Sequence, residues 1–516
     1  MKKRNSSWFA LGLVLLLLST AGIGWSAPKA KVAVSAKPIK VSMFLQDRPE
    51  SIASNDLSII KEIVKQTNVS FDFVSGPIDE AQMREKFNVL IASGDIPDVI
   101  VGNPAITTDM YRVGETKIFE PLDGLIDKYA PNLKKILKEN PGINKAIRLN
   151  DGKIYFLPFV GAVKTQYVFL IRQDWLKKLG LKKPETLDDW YTVLKAFRDR
   201  DPNGNGKKDE IPFTTRMNSK GLLQFMEAYG ITGFQADEQF YLDKGKVKYA
   251  FTDPRAKEAL TFLNKLYKEH LIDPEYLTNN KQVWMSRVSN ELSGATLDWF
   301  IYIDNFAAAL KNVPSADWDA VAPPKGSTGI RMTTSQQKQV RGVTAISARS
   351  KYKVELIKLF DYFYGKEGNM LMNFGLEGKH YTMVGGNPVY TDYVMNNPSG
   401  KGALPMLFTD GHREWAYRQD IRYENAFVSE KSKKSRDGYV QYIKPLFPVL
   451  IYTPEERNVL TTKYVEIQTY KDEMIDKFIM GTEPLTKWND FVQKIKAMGI
   501  DEVLKIQQTA YNRYNK

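Results

Sequence analysis

The chain has 516 residues, a formal net charge of +13, 43% apolar and 26% charged residues. That length exceeds what one hydrophobic core usually supports, so two lobes are expected. No cysteine is present, which excludes disulfides, thiol catalysis, cysteine metal sites and a lipid anchor attached through cysteine.

The N-terminus opens on Lys2, Lys3 and Arg4, followed by a largely apolar stretch over 8–23 and then the small residues Gly24, Ser26 and Ala27. This is the pattern of a secretory signal peptide, placed over 1–27. An uncleaved membrane anchor is the other reading, but the apolar run is short for a span. Removal of 1–27 leaves a charge of about +10. Such a surface attracts polyanions, acidic polysaccharide among them, unless its lysines are merely solvated. Export argues against nucleic acid. The expected location is periplasmic or secreted, free of a lipid anchor.

Residues 39–44 alternate apolar and polar as a first strand should, and 69–74 repeat the pattern. The stretch 54–67 puts Leu57, Ile60, Ile63 and Val64 on one helical face. A second helix is expected over 79–93 and a short buried strand over 97–101. Strand, helix, strand, helix, strand is the order of an open α/β sheet. Farther on, Thr186 is placed to cap the helix that begins at Leu187. Leu356, Ile357, Phe360, Phe363 and Tyr364 recur at helical spacing as one buried face.

Several motifs in this order carry a family resemblance. Gly94-Asp95-Ile96-Pro97-Asp98-Val99, Phe119-Glu120-Pro121-Leu122-Asp123, Asp151-Gly152-Lys153-Ile154-Tyr155 and Arg172-Gln173-Asp174-Trp175-Leu176 are four of them. Together with Trp299 and Asn373-Phe374-Gly375-Leu376, they resemble extracellular solute-binding proteins of carbohydrate ABC importers. Within that group the stretch 174–212 and the C-terminal helix over 500–514 are most similar to the alginate-oligosaccharide-binding proteins. The resemblance implies an α/β, two-lobed periplasmic-binding-protein fold of the solute-binding family 1 type, with a hinge and an interlobe cleft. The expected first lobe takes 38–155 with 295–375, and the second takes 160–290 with 376–516. It also implies an oligosaccharide ligand, and an ABC permease with its ATPase as partners of a monomeric binding protein.

The most specific chemical motif is Asp201-Pro202-Asn203-Gly204-Asn205-Gly206-Lys207-Lys208-Asp209-Glu210. Oxygen side chains at loop positions 1, 3, 5 and 9, with glycine at 6, follow the spacing of an EF-hand loop. Asp201, Asn203, Asn205 and Asp209 would coordinate Ca2+ through side chains, and Lys207 through its carbonyl. Position 12 is Pro212, so the usual bidentate glutamate is missing and Glu210 substitutes for it. The ion's expected role is structural. An ion-free Asn-Gly turn is the plainer reading.

Sugars need ring faces and planar polar groups, and Arg matches a carboxylate with two parallel hydrogen bonds. Candidates are Arg48, in a loop after the first strand; Asp298, Trp299 and Tyr302; and Gln337, Lys338 and Arg341. The mixed run Trp415, Tyr417, Arg418, Asp420, Tyr423 and Glu424 completes the set. In that run Arg418 stands where the alginate binders carry Trp, exchanging a ring platform for a cation. The expected ligand is therefore anionic, of alginate or another uronic-acid type. A secreted lyase or glycoside hydrolase is the rival. Carboxylate pairs are too common to exclude it, yet only His270, His380 and His412 are present, and no elbow, zinc or phosphate-loop motif occurs. The positive likeness favours binding over catalysis. A sensing or adhesion module on the same fold shares every one of these features.

Overall fold

In the computed structural model, residues 34–515 are described, apart from 104, 115, 166, 233–238, 327–328, 335–338 and 397–402. Residues 1–27, where a signal peptide is expected, and the candidates Gln337 and Lys338 therefore lie outside the described residues. Thirteen strands are described: β1 Ile39–Gln46, β2 Val69–Gly76, β3 Val99–Val101, β4 Phe156–Val160, β5 Tyr167–Arg172, β6 Ile211–Phe213, β7 Phe240–Asp243, β8 Lys246–Tyr249, β9 Ser293–Trp299, β10 Trp318–Val321, β11 Val340–Ile346, β12 Tyr381–Val384 and β13 Asn387–Tyr390.

Two mixed sheets organise the chain. The first runs β2-β1-β3-β11-β4 and the second β10-β5-β9-β6. In the first, β1 pairs in parallel with β2 and β3, while β11 runs antiparallel to β3 and β4. In the second, β5 is antiparallel to both β9 and β10, and β6 is parallel to β9. Helices cover both sheets, giving an α/β fold of two lobes.

Strand β5 shows how the sequence builds its core. Phe169 and Ile171 point into the cluster shared with Trp190, Phe213 and Phe225, while Val168 and Leu170 point into a second cluster with Trp284, Phe306 and Trp318. Successive side chains of a strand face opposite ways, so this run of apolar residues is buried between two helical layers. The first sheet has a core of its own around Val41, Met43, Phe44, Phe156 and Phe360.

The lobe boundaries drawn from sequence need correction. β9 and β10 hydrogen-bond to β5 in the second sheet, so the return to the first lobe comes at β11, not at residue 295. Trp415, Ala416 and Tyr417 pack into the first-sheet core, so the chain after 376 stays with the first lobe before the C-terminal helices join the second. The chain thus crosses between the sheets after β4, after β10 and again beyond the helix Ile421–Ala426.

Candidate functional site

Short linkers fix which edges of the two sheets face each other. β4 ends at Val160 and β5 begins at Tyr167; an extended chain spans at most about 3.6 Å per residue, so these ends lie within about 25 Å. The linker from Val321 to Val340 joins the same two edges. The expected interlobe cleft would thus lie between the carboxyl ends of β1, β3 and β4 and the strand end where Trp299 pairs with Tyr167. Ligands of open α/β sheets sit at such carboxyl ends.

At the first edge lies a cavity of about 110 Å³, lined by Gln46, Arg48, Asn103, Phe159, Arg341, Arg413, Glu414 and Trp415 among others. Its floor is main chain. Gly102 donates to the Val343 carbonyl at 2.7 Å, and a side chain at Gly102 would meet that oxygen at 2.8 Å.

Three guanidinium groups converge here. Arg48 contacts Glu414 at 2.5 Å and lies 4.5 Å from the centre of the Phe408 ring. Arg341 sits over Phe159 at 5.3 Å, bonds Gln419 at 3.4 Å, and reaches Glu414 and Glu424 only at 3.8 and 4.0 Å. Arg413 is buried and held by the carbonyls of Phe408 and His412 and by Ser51. Its Nε has no hydrogen-bond partner, and burial pushes its pKa down to about 10. Burial raises Glu424, against the pull of Arg341.

The aromatic candidates of this region are not platforms. Trp415 packs against Phe71 and Phe363 at 5.2 and 5.8 Å. Tyr417 packs on Phe159 at 4.9 Å, and Tyr423 stacks on His412 at 5.7 Å. All three rings are buried: Trp415 and Tyr417 because 415–419 runs beside β4, with Val160 bonded to Tyr417 and Gln419 through the main chain, and Tyr423 in a separate cluster with Phe374 and Tyr390. Arg418 is exposed. Asp420 caps its own helix and pairs with Arg422 at 2.7 Å.

At the second edge Trp299 is half-buried, edge-on to Tyr167 at 6.0 Å. Asp298 is fully buried, and both of its oxygens accept from Arg216 at 2.8 and 2.9 Å. Its carboxylate is therefore taken up by Arg216 and is not a free group. Arg216 lies 5.4 Å from the Trp284 ring and 5.3 Å from the ring of the buried Tyr302. Arg216, Arg413 and Glu414 were not among the sequence candidates. Arg413 and Glu414 directly precede the mixed run that starts at Trp415, and their proximity in chain was the available signal.

The helix Leu187–Asp199 leads into the loop at 201–210. A capping box between Thr186 and Asp189 starts that helix, with Thr186 in the cap position expected from the sequence. In the loop, Asp201 accepts from the main chain of Gly204, Asn205 and Gly206 at 2.8, 3.1 and 3.0 Å. Asn203 and Asn205 each accept from the N–H two residues on. Gly204 and Gly206 take φ of +77°, which glycine adopts at little cost. Glu210 is buried, and neither of its carboxylate oxygens has a hydrogen-bond partner of standard geometry. Burial raises its pKa, in part offset by nearby main-chain N–H groups, and the carboxylates of Asp201 and Asp209 raise it further. A buried acid beside two others fits a cation. Among the described residues no three His, Asp or Glu side chains already converge as a metal cluster; the loop's donor set mixes carboxylate, amide and carbonyl oxygens.

The sequence profile described as bacterial extracellular solute-binding protein matches residues 53–370. The fructooligosaccharide ABC transporter substrate-binding protein FusA of Streptococcus pneumoniae is 26% identical over 489 residues, 89% of this chain and 87% of that protein. The polygalacturonan/rhamnogalacturonan-binding protein YtcQ of Bacillus subtilis is 26% identical over 535 residues, covering 99% of each. Among solved structures, the alginate-binding protein AlgQ2 without calcium ion is 31% identical with a TM-score of 0.74, over 94% of this chain and 100% of that one.

Proposed function

The chain belongs to the bacterial extracellular solute-binding protein family, and from that premise we propose that it captures an anionic oligosaccharide, of alginate or another uronic-acid type, for an ABC importer. The observation that carries the reading is the guanidinium-rich cavity at the first edge of the cleft. Arg48, Arg341 and Arg413 face Glu414 and Glu424, and Arg413 makes no ion pair within 4 Å among the described residues. Asp47 and Glu50 favour its charge without offsetting its burial; a buried cation so weakly paired is costly, and a ligand carboxylate relieves that cost. Relatives that bind alginate and polygalacturonan support the same class.

Capture is reversible and forms no covalent bond. The ligand enters between the lobes, stacks on Trp299, pairs with Arg341 and Arg48, and the lobes close around it by hinge motion. The closed monomer then docks on the permease, which its ATPase drives. Export in free form follows removal of 1–27.

Isothermal titration of the mature protein against oligogalacturonate, oligoalginate and a neutral fructo-oligosaccharide tests this. Acidic oligomers are expected to bind with an affinity that falls as salt rises. Arg341→Ala should lose about 1.5–3 kcal/mol of binding to them, roughly tenfold or more. Binding of neutral oligomers alone, insensitive to salt, would overturn the anionic reading. Release of reducing ends from either polymer would restore the lyase or hydrolase alternative.

The loop at 201–210 is read as a structural Ca2+ site, with Asp201, Asn203, Asn205, Asp209 and Glu210 as side-chain ligands and Lys207 through its carbonyl. The ion would neutralise the crowded carboxylates and give the unpartnered Glu210 a counter-charge. At a hundred times its dissociation constant it adds about 2.7 kcal/mol to folding. The protein should melt higher in calcium than in chelator, and Glu210→Gln should lose most of that difference. An undiminished calcium shift in Glu210→Gln would remove Glu210 from the ligand set.

A further inference from the structure

We propose that Glu414 is a resident carboxylate occupying the anion position of the cavity, and that it sets how strongly the protein prefers acidic over neutral oligosaccharides. This rests on the anion-binding reading of the same cleft. Glu414 contacts Arg48 at 2.5 Å and stands 3.8 Å from Arg341. It thus joins two guanidinium groups brought from chain positions far apart. Burial pushes its carboxyl up, but Arg48 and Arg341 outweigh that and hold it lowered, so it is ionised.

The geometry is asymmetric. Arg48 is committed to Glu414 and its planar face is taken by Phe408. Arg341 is the looser cation. Its face lies over Phe159, its hydrogen bond to Gln419 is long at 3.4 Å, and both carboxylates near it lie beyond hydrogen-bond distance. Gln419 meanwhile donates to Glu424 at 2.8 Å, which ties the second carboxylate away from Arg341. Glu414 is therefore the main local competitor for both guanidinium groups.

An arriving carboxylate must share Arg341 and Arg48 with Glu414 inside a small cavity, where like charges repel. A neutral sugar meets no such conflict. The resident carboxylate lowers affinity for anionic ligands without touching affinity for neutral ones, and keeps the arginines from holding simple anions tightly.

The test is the ratio of acidic to neutral affinity, by isothermal titration of wild type, Glu414→Gln and Glu414→Ala with oligogalacturonate and a fructo-oligosaccharide of equal length. The glutamine is close to isosteric, and the alanine covers the case in which the glutamine misfolds. Melting curves confirm folding. The ratio is expected to rise at least tenfold in both variants, with a gain in acidic binding. An unchanged or falling ratio in a folded variant would overturn the proposal, as would the absence of any gain in acidic binding. The wild-type preference separates this from the parent reading: a wild type that binds only neutral sugar removes the anionic reading, while a ratio that still rises in the variants retains Glu414 as the selector.

Discussion

Two buried titratable residues pull stability in opposite directions with pH. Glu227, on the 3-10 turn Leu223–Tyr229, accepts the Thr334 main-chain N–H at 3.2 and 3.1 Å, and also its hydroxyl. It thereby holds the linker between β10 and β11. Burial pushes its pKa from 4.5 up to about 7. A raised carboxyl is fully stabilised below its unfolded pKa and loses that as pH climbs toward 7, a cost of about 3 kcal/mol. His412 is buried among Phe408, Tyr417 and Tyr423, and burial pushes it from 6.5 down to about 4. A depressed imidazole costs nothing above 6.5 and about 3 kcal/mol as pH falls to 4. Between pH 4.5 and 6.5 the two slopes cancel. Urea unfolding across pH should therefore show a nearly flat contribution from the pair. Glu227→Gln should gain stability most at pH 8, leaving a profile that falls toward acid, and His412→Phe should tilt the profile the other way. Parallel profiles for wild type and both variants would rule out the two groups as the titrating pair.

The helix Leu187–Asp199 depends on its first turn. Thr186 accepts from the Asp189 N–H at 3.1 Å while the Asp189 side chain accepts from the Thr186 N–H at 2.9 Å. Thr186→Ala should cost about 1 kcal/mol of stability, read from the midpoint of denaturant unfolding at unchanged slope. The Thr186 cap was legible because it is local, directly before an apolar periodic run; the return bond from Asp189 is added by the structure. The strands at 39–46 and 69–76 were legible for the same reason, through alternation. The first helix starts at Ser58, four residues later than its apolar pattern suggests. Asn55 instead bonds both the carbonyl and the N–H of Phe71 at 2.7 and 3.0 Å, pinning the preceding turn to β2. The burial of Trp415, Tyr417 and Tyr423 does not show in the sequence, because it comes from segments distant in the chain. The Arg48–Glu414 pair spans 366 positions, a separation that no periodicity carries. Local chemistry, as in the loop at 201–210, shows in a sequence; convergence of distant charges does not.

At the scale of the whole molecule, the three crossings make the lobes interdependent. Each sheet is built from separated segments: the first takes β11 after the second has received β5, β6, β9 and β10. Loss of either core frees chain that the other needs, so the lobes should unfold together although each has its own apolar cluster. Tryptophan placement allows a direct check. Beyond residue 27, Trp175, Trp190 and Trp488 lie in one second-lobe cluster, Trp284 and Trp318 in the other with Trp299 packed against it, and Trp415 alone in the first-lobe core. Tryptophan fluorescence therefore reports mainly the second lobe, while far-UV circular dichroism reports both. The loop at 201–210 precedes β6 of the second sheet, so calcium bound there would act first on the lobe that fluorescence sees. Interleaving predicts that calcium raises both midpoints equally, because stabilising one lobe stabilises the shared chain. A shift confined to fluorescence would mean that the lobes unfold independently and that the crossings are slack tethers, leaving the cleft free to open without strain on either core.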